Sequence, residues 1–116
     1  MTVKEFEQYI ADNKKVVVYC GWNTAPGTLE GDRCFREARD LILYDKYEYL
    51  AFDVSGRDMA IGYYLLPSWN LPMTILYADG VEIGRIWGCF NGNATKYAEW
   101  IDGQYAKMSH TTGTLL

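Results

Sequence analysis

Residues 71–88 read LPMTILYADGVEIGRIWG. Met73–Ala78 and Val81–Trp87 are β-branched and aromatic runs separated only by Asp79-Gly80, a pair that tolerates the positive φ angles of a two-residue hairpin turn. The two runs are therefore expected to be antiparallel neighbours. Leu71-Pro72 stands directly ahead of the first run, and an X-Pro amide loses most of the preference for trans, so a cis bond can form there at tolerable cost.

Upstream of this hairpin, Tyr47–Val54 (YEYLAFDV) reads as a further strand, and Ser55 or Asp58 can start a short helix to about Leu66. PSWNLP at 67–72 forces a connection. Lys14–Cys20 (KKVVVYC) is apolar without alternation, as expected of a strand covered on both faces. Before it, Thr2 and Glu5 have the spacing of a capping box for a helix carrying Val3, Phe6 and Ile10. Residues 21–31, GWNTAPGTLEG, concentrate turn formers and are expected as a loop. Asp32 would then cap a helix running to about Tyr44, with Cys34, Phe35, Ala38, Leu41 and Ile42 buried and Arg33, Arg36, Glu37, Arg39 and Asp40 in water. Downstream, Asn91 or Asn93 caps a last helix striped by Ala94, Tyr97, Ile101, Tyr105 and Met108, and 109–116 is expected as a flexible tail. Trp87 and Trp100 fall at positions suited to core packing. The order α β α β α β β α predicts an α/β fold in a single domain over 1–116, a mixed four-stranded sheet flanked by helices on both faces.

The whole chain of 116 residues, 49% hydrophobic and 22% charged, is long enough to bury a core without staples. Its net charge is -4, with eleven Lys and Arg scattered along it, which gives no footprint for nucleic acid. No stretch approaches the roughly 20 apolar residues of a membrane helix, and residues 1–20 lack the pattern of a secretory leader, so a cytoplasmic protein without a membrane partner is expected. With a single histidine, His110, there is neither zinc spacing nor a Ser-His-acid set, and GTLEGD lacks the lysine of a phosphate loop. No cofactor is expected. Oligomeric state is left open.

The element order and three segments resemble the thioredoxin family. LPMTILYADGVEIGRIWG is similar to that family's cis-proline hairpin, YLAFDVSGRDMAIGYYLL to its preceding strand and helix, and KKVVVYCGW to the strand entering its active site. Together they cover roughly residues 3–108. The family's Trp-Cys-Gly-Pro-Cys is absent, and no two of Cys20, Cys34 and Cys89 are three apart. The resemblance places GDRC, 31–34, at the motif, with Gly31 at the nucleophilic cysteine, Cys34 at the resolving one, Cys20 at the usual tryptophan, and Val18 at the buried carboxylate. It also implies a substrate-binding rim at Leu71, Pro72 and Gly88, flanked by Trp69 and Trp22, where exposed backbone groups pair with an extended peptide.

A helix N-terminus and basic neighbours lower a thiol pKa, so Cys34, in the expected first turn beside Arg33 and Arg36, is a candidate catalytic thiol; the alternative is a small buried residue of its helix. Cys20 at a strand end and Cys89 beside the hairpin are candidate partners, and all three sulfurs are expected to meet at one edge. Two functions follow: thiol-disulfide exchange with protein or peptide thiols and disulfides through a non-standard site, or a redox-inactive protein- or peptide-binding module. Whether the protein is an enzyme depends on which of these holds.

Overall fold

The computed structural model describes residues 1–21 and 28–115, and the side chains of 1–21 and 29–108. Thr2 caps α1 (Val3–Asp12) through the expected box, its Oγ1 accepting from the Glu5 N–H at 3.1 Å while its own N–H donates to Glu5 at 2.7 Å. There follow β1 (Lys15–Gly21), α2 (Thr28–Glu37), β2 (Glu48–Asp53), α3 (Met59–Leu65), β3 (Met73–Ala78), β4 (Val81–Trp87) and α4 (Ala94–Leu115). The strands form one sheet in the order β2-β1-β3-β4, parallel between β1 and β2 and antiparallel elsewhere. Asp79 and Gly80 take the positive φ angles, 51° and 81°, that the hairpin turn requires.

Successive side chains of a strand point to opposite faces, and here each face carries its own core. Val16, Val18 and Cys20 of β1 join Met73, Ile75 and Tyr77 of β3 under Phe6 and Ile10 of α1 and Ile61 and Leu65 of α3. Val17 and Tyr19 join Leu76 and Ala78 on the other face, under Cys34, Phe35 and Ala38 and under Tyr97, Ala98, Ile101 and Tyr105 of α4. A buried hydrogen bond of 2.6 Å between Thr74 Oγ1 and the Tyr97 hydroxyl ties α4 to the sheet.

Three expectations need correction. First, α2 begins at Thr28, four residues ahead of Asp32. Gly31 reads as a breaker, yet Glu30–Arg33 and Arg33–Glu37 pairs support the helix around it. Second, the helix does not continue in α form to Tyr44: Ala38–Leu43 is a π turn and Tyr44–Lys46 a 3-10 turn. The wider π turn postpones the inward position by one residue. Leu41 and Ile42, expected in the core, are therefore 67% and 40% exposed, and Leu43 is buried instead. Third, Trp87 is 66% exposed rather than buried, at the end of the edge strand β4, whereas Trp100 does pack partly against the core. Asn93 is the residue that caps α4, accepting from the Lys96 N–H at 3.0 Å. α4 runs to Leu115, across the segment expected as a tail.

Candidate functional site

The start of α2, the turn ahead of β3 and the loop after β4 lie together at one edge of the sheet. The Leu71-Pro72 bond is cis. Gly31 packs directly on the ring that follows it: a Cβ added there would lie 2.7 Å from Pro72 Cγ and 2.7 Å from the Tyr19 hydroxyl. That hydroxyl hydrogen-bonds Asp32, and burial together with this carboxylate raises the Tyr19 pKa. Pro72 and Tyr19 thus leave almost no room for a side chain at Gly31.

Cys34 lies six residues past the first residue of α2, beyond the turn over which helix-terminal charge acts. Its side chain is wholly buried, and burial pushes the thiol up to about 12, with Cys89 beside it adding to the rise and Arg33 only partly opposing it. The expected lowering is corrected to a rise. Cys20 is also wholly buried and pushed up to about 12 by burial, but it belongs to the α1/α3 face. The expected meeting of three sulfurs does not extend to Cys20, since Cys34 and Cys89 share the α2/α4 face while the sheet intervenes before Cys20. All three are free thiols. The parity of β1 carried this information, because Cys20 shares its face with Val16 and Val18.

At the rim, the Gly88 N–H donates to the Pro72 carbonyl at 2.8 Å, which closes the hairpin mouth. Trp87, expected in the core, donates its indole N–H to the Leu71 carbonyl at 3.1 Å. Leu71 is half-buried and Pro72 buried, so Trp87 forms the exposed aromatic wall. Trp69 is turned toward α3, edge-to-face with Tyr63 at 5.2 Å and close against Gly62. Trp22 lies outside the described residues. The edge position of β4 could have signalled Trp87, since one flank of an edge strand lacks a neighbour.

Beside this rim, between α2 and the C-terminal ends of β1 and β2, is a cleft of about 280 Å³ in which Arg36, Arg39 and Arg57 face Asp32 and Asp53. Arg39 is held by both oxygens of Asp40 at 2.7 and 3.0 Å and lies over the Phe35 ring. With both signs in its wall, the cleft defines no single class of ion. Among the described residues no group of three His, Cys, Asp or Glu could hold a metal ion, and no helix is long and apolar enough to cross a membrane.

No protein-family model matches the sequence, and no curated protein does. Solved structures match over nearly the whole length. A thioredoxin of Malassezia sympodialis superposes with a TM-score of 0.71 at 17% identity, covering 89% of this chain and 88% of its own. A Plasmodium falciparum thioredoxin gives 0.69 at 18% identity, with coverage of 88% and 93%. Mitochondrial thioredoxin 3 of Saccharomyces cerevisiae gives 0.65 at 21% identity, with coverage of 88% and 90%. This chain has the thioredoxin fold. Within it, the Leu71-Pro72 bond is cis, Gly31 packs on Pro72 and Cys34 is buried.

Proposed function

We propose that this protein is a thioredoxin-fold module that binds an extended protein or peptide segment at the rim of Leu71, Pro72, Trp87 and Gly88. The observation that carries this reading is Gly31. Its Cβ position is taken by Pro72 and Tyr19, so the seat from which a thioredoxin-like nucleophile would work accommodates no side chain. What the edge still offers is backbone and an exposed indole, the elements of strand addition with an aromatic anchor. A segment pairing at Leu71 would compete with the Trp87 N–H for its carbonyl and take the displaced ring as an apolar wall.

Peptides selected from a displayed library against the protein test this. Bound peptides are expected to shift the backbone amides of Leu71, Met73 and Gly88, and Trp87→Ala is expected to weaken the same peptides by roughly tenfold or more, as for a buried aromatic anchor. Binding should survive in a Cys34→Ala, Cys89→Ala variant. Peptides that perturb only other faces would overturn the reading, as would binding that disappears with the thiols.

A further inference from the structure

The loop after β4 brings a second cysteine to Cys34. The Cys34 thiol donates to the Cys89 carbonyl at 3.6 Å. Arg33 and Glu37 of α2, Cys89 of the loop and Tyr97 of α4 are the charged and titratable groups around it. Cys34 is wholly buried, whereas Cys89 is partly open to solvent. The loop itself is held in a rarely adopted shape, with φ of 87° at Gly88, 55° at Phe90, 54° at Asn91 and 79° at Gly92. Left-handed conformations at residues such as Phe90 persist only where the surroundings impose them. Here Arg33 of α2 does so, donating to the Gly92 carbonyl at 2.9 Å, with Glu30 packed against Gly92. Gly88 and Gly92 bracket Cys89 with the two residues most able to change conformation.

We propose that Cys89 and Cys34 form a single thiol site that is oxidised by low-molecular-weight disulfides, Cys89 taking the first attack and Cys34 closing the intramolecular bond. In the first step the Cys89 thiolate attacks one sulfur of the disulfide; a mixed disulfide forms and one thiolate leaves, taking up the proton that Cys89 gave to solvent. In the second step Cys34 loses its proton and its sulfur attacks the Cys89 sulfur, the mixed bond breaks, and the departing thiolate takes up a proton to leave as the second thiol. The protein loses two electrons and two protons, and the external disulfide is reduced to two thiols. Accessibility assigns the order, because only Cys89 can be reached from outside. Cys20 has no part, being on the opposite face. This site goes beyond segment binding at Pro72 and does not depend on it.

The test uses the folded protein with oxidised glutathione, followed by intact mass and peptide mapping. The expected course is one glutathionyl adduct on Cys89, then its loss to give a species lighter than the dithiol by two hydrogens, with Cys34 and Cys89 peptides linked. The closing step should accelerate by about tenfold per pH unit over the neutral to mildly alkaline range, following the thiolate fraction of Cys34. Cys34→Ala is expected to stop at the Cys89 adduct, and Cys89→Ala to show no adduct. Should Cys34→Ala fail to fold by circular dichroism, mapping of the unmutated protein decides. A Cys89 adduct that never releases glutathione, a link to Cys20, or reaction only in urea would each overturn the assignment.

Discussion

At the scale of single residues, Gly31 is required by what approaches it rather than by a turn. The Pro72 ring and the Tyr19 hydroxyl both stand 2.7 Å from where its Cβ would be, and Tyr19 is itself buried in the core. Gly31→Ala is therefore expected to destabilise despite the better helix propensity of alanine, by about 1–3 kcal/mol as for an overpacked core, read as a lower urea midpoint with unchanged slope. An unchanged or raised midpoint would show that Pro72 yields. Tyr97 and Thr74 make a second local case. Tyr97→Phe leaves the buried Thr74 hydroxyl without its 2.6 Å partner, and a loss of about 1–3 kcal/mol is expected in the same measurement. Neither contact is legible in sequence, since each joins residues distant along the chain.

At the scale of elements, legibility followed the strength of local periodicity. The β3–β4 hairpin, its Asp-Gly turn, the Thr2 box and the Asn93 cap all depend on residues within a few positions of one another, and each appears where the sequence puts it. The region after α2 does not, because a π turn has no local signature and shifts the inward face by one residue. Two substitutions expose the difference. Leu43→Ala should cost about 2–5 kcal/mol, as for a buried leucine, while Leu41→Ala should stay within about 0.5 kcal/mol. A regular α-helix through this segment would reverse that order. Thermal or urea unfolding of the two variants side by side distinguishes them.

At the scale of the whole molecule, two cores flank one sheet, and each holds a buried thiol and at least one buried tyrosine. Burial raises Cys20, Cys34 and Tyr49 to about 12. Each binds its proton more tightly folded than unfolded, so the folded state holds more protons above the unfolded pKa. Stability from these groups is complete below about pH 9 and is lost as pH rises toward about 12. Urea midpoints should therefore fall steadily over that window. Substituting Cys20 by alanine should flatten part of the fall, and an unsloped profile up to pH 12 would contradict the burial of these groups.

The sequence by itself determined the element order, the mixed sheet, the hairpin and the absence of a Cys-x-x-Cys pair, because these rest on spacing, turn chemistry and composition. Only the tertiary structure decided which cysteines share a face of the sheet, which tryptophan faces water beside Leu71, and what packs against Gly31. Those outcomes depend on face and distance between remote segments. Strand parity, one added residue in a helical turn and the approach of a proline ring set them, and none of these is a property of any single stretch of chain.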